Sequence, residues 1–140
     1  MGHCPHMHRE FRKDISSLAD VFAFIDEMMS AKTVSPAVSY AVSLAVEELF
    51  TNMVKYGTGS TDDISLDVQW NNNALVVRLV DHDVDPFDPR GAGEIDPSVP
   101  LNERRIGGLG IHLVRHMVDD LQYTYAGRCS TITIIKNLEH

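Results

Sequence analysis

The hydrophobic spacing of this chain changes from a helical period to a strand period after residue 56. Before that point, apolar residues recur at helical spacing in two runs, and the second extends from Ser35 to about Tyr56. Ser35 and Pro36 mark its start, because serine caps a helix and proline fits the first helical position. We therefore predict two helices in the first part of the chain.

The first predicted helix begins at Ser17, because Asp20 three residues later gives a start that resembles a capping box. Its apolar residues follow at helical spacing, which predicts one face packed into a core. The predicted core-facing residues are Leu18, Val21, Phe22, Ile25, Met28 and Met29.

The next segments alternate with a period of two, as half-buried strands do. Ile64 to Trp70 has its apolar side chains on one side, and Ala74 to Val80 follows after a run of asparagines. This pair is predicted to form an antiparallel hairpin. Two later strands, Leu121 to Ala126 and Ser130 to Ile135, are predicted to join at Gly127 and Arg128.

Residues 82–106 contain four prolines and two glycines, which predicts a long loop. A third helix is predicted to open at Gly107 to Gly110 and to run through Val114 and Met117. The order of elements predicts an α/β (α+β) two-layer sandwich, with helices on one face of a mainly antiparallel mixed sheet.

Composition restricts the classes of function. The net charge of −8 over 140 residues argues against a surface that holds nucleic acid. No run approaches the roughly 20 apolar residues that a membrane span needs, and the N-terminus does not resemble a signal peptide. We expect a cytoplasmic location, with Cys4 and Cys129 as free thiols. We further expect a flexible N-terminus at residues 1–9, one domain at 10–137 and the remnant of an expression tag at 138–140.

The first candidate motif is VEELFTNMVKYG, in which Glu48 and Asn52 share a helix face because they lie four residues apart. An asparagine oxygen can coordinate Mg²⁺, which takes few protein ligands, and the neighbouring glutamate could act as a base. Taken alone, this pair is more typical of a solvated helix face than of a catalytic site.

The second candidate motif is VRLVDHDVDPFDP, where a strand of buried character ends at Asp81. A carboxylate there can accept a hydrogen bond from the exocyclic amine of adenine, a donor that guanine does not present at that position. The alternative is an acidic turn without a ligand.

The third candidate motif is RRIGGLGIHLVRHMV. Its glycines allow close backbone approach, and the following helix offers unpaired N–H groups to phosphate oxygens. Arg104 and Arg105 add positive charge just upstream. The alternative is an ordinary tight turn, since the glycine spacing matches neither a dinucleotide-binding nor a P-loop pattern.

In this order and spacing, the three motifs resemble the N, G1 and G2 boxes of the GHKL (histidine-kinase-like) ATPase superfamily. Within it, the chain looks most like the bacterial anti-sigma-factor serine/threonine kinases. The resemblance covers roughly residues 10–137 and implies the Bergerat ATP-binding fold.

The resemblance also implies roles for individual residues. Asn52 would bind Mg²⁺, Glu48 would be the general base, Lys55 would reach a phosphate, and Asp81 would read the adenine amine. Residues 88–105 would form the ATP lid. The other nucleotide-binding positions that it implies are Asp83, Phe87, Arg105, Gly108, Leu109, Gly110 and Thr131.

One position departs from the family pattern, because Asp83 stands where G1 boxes carry glycine. If that position takes a positive φ, aspartate tolerates it at a cost of about 1 kcal/mol. Either the Asp83 side chain turns away to solvent, or ATP binding is weak.

The resemblance implies a protein serine/threonine kinase that uses ATP and Mg²⁺. Its partners would be a sigma factor or a similar regulator and an anti-sigma-factor antagonist protein, which it would phosphorylate. A homodimer is implied as well. The alternative is a module of the same fold that binds its partner in a nucleotide-dependent manner without phosphotransfer.

Overall fold

The computed structural model describes residues 6–30, 34–56, 61–84 and 113–138. Residues 113–117 are helical. The other elements, in chain order, are β1 (His6–Phe11), a short 3-10 helix (Ile15–Ser17), α1 (Leu18–Ser30), α2 (Pro36–Tyr56), β2 (Ile64–Asn71), β3 (Ala74–His82), β4 (Asp120–Ala126) and β5 (Cys129–Asn137).

The strands form one five-stranded sheet in the order β1-β2-β3-β5-β4. Every neighbouring pair of strands in the described part of the sheet is antiparallel. This confirms the predicted two-layer α+β architecture. The sequence predicted a mainly antiparallel mixed sheet, and the described strand pairs are all antiparallel.

The core lies between this sheet and the helices α1 and α2. Alternate residues of the central strands point into it, as the period of two predicted, and they join one cluster with apolar side chains of both helices. Burial of each large side chain of this kind stabilises the fold by about 1.5–3 kcal/mol. The buried strand residues in the cluster are Ile64, Leu66, Val68, Trp70, Leu75, Val77, Leu79, Ile132 and Ile134.

The start and buried face of α1 differ from the prediction. Ser17 belongs to the 3-10 helix and donates its hydroxyl to the Arg12 carbonyl at 2.9 Å, while Asp14 caps that helix. Phe24 is fully buried and Phe22 only half-buried, so the buried face of α1 includes Phe24 rather than Phe22. The buried residues of α1 are Val21, Phe24, Ile25, Met28 and Met29.

Helix α2 begins and ends where the sequence predicted. The Ser35 hydroxyl accepts a hydrogen bond from the Val38 N–H at 3.2 Å, which satisfies one of the free donors at the helix start. Pro36 occupies the first helical position, and the helix continues to Tyr56. The C-terminal half of this helix carries Glu48 and Asn52.

Both chain ends contribute more to the sheet than the sequence predicted. Residues 6–9, expected in a flexible N-terminus, pair with β2 in the register His6–Gln69 to Arg9–Leu66. Leu138, expected in a tag remnant, donates its N–H to the Asn73 carbonyl at 2.7 Å and packs against the core. The turn that joins β4 to β5 has a positive φ at Gly127 and Arg128, the pattern of a two-residue hairpin turn.

The predicted long loop and the start of the third helix lie mostly outside the described residues. Val114, within the helical residues 113–117, and Val118, directly after them, are buried in the core. None of the helices in the described ranges is long and apolar enough to cross a membrane.

Candidate functional site

Asn52 is a buried polar residue on α2, with 4% of its surface exposed. Its Nδ2 donates to the Glu48 carbonyl oxygen at 2.6 Å, one helical turn earlier. Its Oδ1 is buried and has no hydrogen-bond partner within the described ranges. The opposite amide orientation would bring two oxygens together, so the Nδ2 contact fixes which way Oδ1 points. The arrangement leaves a fixed oxygen that can bind a cation or accept a hydrogen bond.

Glu48 is half-buried on α2, one turn before Asn52. Burial raises the pKa of its carboxyl above the usual value, and the neighbouring Glu47 charge adds to this rise. The positive charge of Lys55, whose side chain is exposed, lowers the pKa of Glu48 and so opposes this rise. Glu48 is therefore better suited to accept a proton than an exposed glutamate.

Asp81 lies near the end of β3 and is 2% exposed. Lys13 Nζ donates to Asp81 Oδ1 at 2.8 Å, and the Lys13 side chain is itself only 4% exposed. Burial raises the pKa of the Asp81 carboxyl, although the hydrogen bond and charge of Lys13 oppose the shift. The sequence did not predict Lys13, because it lies 68 residues from Asp81 and outside every motif.

The register of β3 and β5 places Ser130, and not Thr131, beside Asp81. Asp81 pairs directly with Ser130, whereas Thr131 pairs with Val80. Directly paired residues lie on the same face of a sheet, so Thr131 lies on the face opposite Asp81. Ser130 is 5% exposed, and its side chain lies on the same face of the sheet as that of Asp81. Strand alternation indicates this only when the pairing register of β3 and β5 is known.

Asp83 has the backbone conformation typical of glycine, with a φ of 56°. Its carboxylate is exposed and pairs with Arg128 Nε at 2.8 Å, on the turn between β4 and β5. A second hydrogen bond joins the same two segments, because the Arg128 carbonyl accepts the Val84 N–H at 2.9 Å. Of the two outcomes expected for Asp83, the structure shows the first, in which its side chain turns to solvent. It is not brought together with the buried carboxylate of Asp81.

Five predicted site residues, together with most of the predicted lid, lie outside the described ranges. Their roles stay predictions from the sequence. These residues are Phe87, Arg105, Gly108, Leu109 and Gly110.

Comparison with known proteins agrees with this architecture. A family model for the histidine kinase-like ATPase domain matches residues 11–136. The sensor histidine kinase YxdK of Bacillus subtilis is 31% identical over 94 residues, which cover 59% of this chain and 27% of that protein. The chain thus spans little more than a quarter of this curated relative.

Two solved structures share the fold at low sequence identity. The RsbU and RsbW domains of Rv1364c from Mycobacterium tuberculosis match with a TM-score of 0.72 and 13% identity, over 97% of this chain and 33% of that chain. The SiaB–SiaC complex from Pseudomonas aeruginosa matches with a TM-score of 0.65 and 13% identity, over 92% of this chain and 88% of the matched chain.

Proposed function

Because the chain belongs to the family of histidine kinase-like ATPase domains, we propose that it binds ATP and transfers the terminal phosphoryl group to a serine or threonine hydroxyl of a partner protein. The observation that best supports this proposal is the buried Asn52 Oδ1, which lacks a hydrogen-bond partner in the described part of the chain. It lies one helical turn beyond Glu48, a half-buried carboxylate with a raised pKa. A cation ligand and a proton acceptor are two of the groups that phosphoryl-transfer sites use.

Asn52 would hold Mg²⁺ through its carbonyl oxygen. The fit is chemical: Mg²⁺ prefers oxygen ligands, and this oxygen is buried, oriented and without a partner among the described residues. One protein ligand suffices, since Mg²⁺ completes its coordination with water and phosphate oxygens. When bound, the ion neutralises charge on the phosphate oxygens.

Glu48 is the general base in this proposal. It accepts the proton of the attacking hydroxyl, whose oxygen bonds to the terminal phosphorus while the bond between that phosphorus and the ADP oxygen breaks. The rise in its pKa makes proton acceptance more favourable than for an exposed glutamate. Positioning and charge neutralisation contribute the larger share of catalysis in this reaction class.

The base of the nucleotide would be read by Asp81, which accepts a hydrogen bond from the exocyclic amine. Ser130 takes the supporting place that the sequence assigned to Thr131, because it shares the face of Asp81. Lys55, exposed near the end of α2, would meet a phosphate group. The remaining assignments, proposed from the family pattern, are Phe87 in the base pocket and Arg105, Gly108, Leu109 and Gly110 at the phosphates.

The biological role that we propose is anti-sigma regulation in the cytoplasm. The chain would bind a sigma factor or a similar regulator and phosphorylate an antagonist protein, and it would act as a homodimer. The shared fold with an RsbW domain and with a protein solved in the SiaB–SiaC complex supports a search for protein partners.

The proposal is tested first by nucleotide titration. Isothermal titration of the full chain with ATP is expected to show binding that Mg²⁺ strengthens. Asn52→Ala should keep the weaker binding seen without metal and lose the Mg²⁺ effect, because the ion loses its one proposed protein ligand. Absence of ATP binding to the wild type would overturn the proposal. Nucleotide-dependent partner binding without phosphate transfer would favour the alternative of a binding module.

A further inference from the structure

Three side chains form a cluster on the outer face of the sheet, the face turned away from α1 and α2. Ser65 lies on β2, His82 on β3 and Cys129 on β5, and His82 pairs directly with Cys129. Successive strand residues point to opposite faces, so His82 faces away from Asp81. Cys129 likewise faces away from its neighbour Ser130. The cluster is therefore separate from the proposed nucleotide site.

The His82 ring lies between the other two side chains. Its Nε2 is 2.9 Å from Ser65 Oγ, and its Nδ1 is 3.6 Å from Cys129 Sγ, within hydrogen-bond reach of the larger sulfur atom. Ser65 is 4% exposed, whereas His82 and Cys129 are half-buried. Cys129 is a free cysteine. One imidazole thus joins a buried hydroxyl to a free, half-buried thiol.

These contacts give the three side chains complementary proton roles. A neutral imidazole has one nitrogen that donates and one that accepts. When the proton is on Nε2, that N–H donates to Ser65 Oγ, and the lone pair of Nδ1 faces the Cys129 thiol. Ser65 then orients the ring, and His82 can take the proton of Cys129. A nucleophile, a base and a group that orients the base are the set that sites of covalent chemistry use.

We propose that Cys129 is a nucleophilic thiol, activated by His82, that forms a mixed disulfide with a low-molecular-weight disulfide. His82 Nδ1 takes the thiol proton, and the Cys129 sulfur bonds to one sulfur of the disulfide while the bond between its two sulfurs breaks. The sulfur that leaves takes up the proton from His82. Cys129 is thereby oxidised to the mixed disulfide, and the half that leaves is reduced to a thiol.

The place of Cys129 in the fold suits a reversible modification. It is the first residue of β5, directly after the turn at Gly127 and Arg128, and it is half-buried. Buried structural cysteines are inert, whereas reactive cysteines are partly exposed to solvent. A second thiol reverses the step by attacking the mixed disulfide. The protein thus carries a redox-responsive position on the face of the sheet opposite to the proposed nucleotide site.

The test measures how fast dithiobisnitrobenzoate, an aromatic disulfide, reacts with the full chain carrying Cys4→Ser, in which Cys129 is the remaining thiol. This protein is the parent for the other variants. A free thiol is only a few per cent ionised at about pH 7, so His82→Gln, which removes the base, is expected to react at least about tenfold more slowly than the parent. At about pH 9.5 thiols ionise without a base, so the two rates should converge.

His116→Gln is the matched control, because it makes the same substitution at an exposed histidine outside the cluster, and it should react like the parent. Equal rates for the parent and His82→Gln at about pH 7 would overturn the proposal. A difference that persists at about pH 9.5 would overturn it as well, because it indicates a structural role for His82. Ser65→Ala keeps the base and loses the group that orients it, so an intermediate rate is expected. If circular dichroism shows that His82→Gln does not fold, an unchanged rate in Ser65→Ala overturns the proposal.

Discussion

The Lys13–Asp81 ion pair is expected to show strong energetic coupling in the absence of any nucleotide. Both side chains are at most 4% exposed, so removal of either one leaves its partner buried without a matching charge. Such a loss costs about 3–5 kcal/mol, a large part of the roughly 5–15 kcal/mol that stabilises a domain. Removal of both charges leaves no unmatched ion, so the double variant should recover at least about 2 kcal/mol relative to additive single effects.

Urea unfolding monitored by circular dichroism measures this coupling. The variants are Lys13→Met, Asp81→Asn and their combination, each compared with the wild type at neutral pH. The double variant is expected to unfold at a higher urea concentration than the less stable single variant, and the coupling follows from the four free energies of unfolding.

A matched exposed pair serves as the control. Arg9 and Glu27 lie 3.9 Å apart with 48% and 57% of their side chains exposed, so Arg9→Met and Glu27→Gln should couple by less than about 1 kcal/mol. Single effects at Lys13 and Asp81 that add within about 0.5 kcal/mol would refute the buried ion pair and the reasoning built on it.

Other predictions concern the base site, the glycine-like position and one histidine. Ser130→Ala is expected to weaken ATP binding in calorimetry and Thr131→Val to leave it unchanged, because the two residues lie on opposite faces; the reverse result would restore the assignment made from the sequence. Asp83→Gly should leave ATP affinity unchanged, since its side chain faces solvent, and a marked gain would place this carboxylate at the nucleotide. The hydrogen bond with Asp67 raises the pKa of His8 above 6.5, so this contact stabilises the fold below pH 6.5 and the stabilisation is lost as pH rises through the raised value. Urea midpoints of wild type and His8→Gln should therefore converge with rising pH, and a constant difference would contradict the assignment.

Local signals predicted most of the fold. Ser35 and Pro36 act on the first turn of α2 alone, so its start could be predicted without the tertiary structure. The alternation through Ile64 and Trp70 likewise marked the buried face of β2. The face of α1 was harder, because helical spacing is compatible with either Phe22 or Phe24 in the core. The packing of α1 in the folded protein buries Phe24 and leaves Phe22 half-buried.

Long-range contacts in the candidate site could not be predicted in this way. Glu48 and Asn52 lie one turn apart on one helix, so their shared face followed from sequence spacing. Lys13, which follows β1, reaches Asp81 on β3 past the intervening strand β2, a contact that depends on the order of strands in the sheet. The choice between Ser130 and Thr131 depends on the register of β5 against β3, where a shift of one residue reverses the face.

The role of Glu48 gives the most direct test of the proposed kinase chemistry. ATP affinity and the rate of ADP formation are measured for the wild type and Glu48→Gln, which keeps the shape of the side chain and removes the proton acceptor. We predict that Glu48→Gln binds ATP as the wild type does and forms ADP about 10²–10⁴-fold more slowly, the usual contribution of a general base. Equal rates of ADP formation in the two proteins would contradict the account.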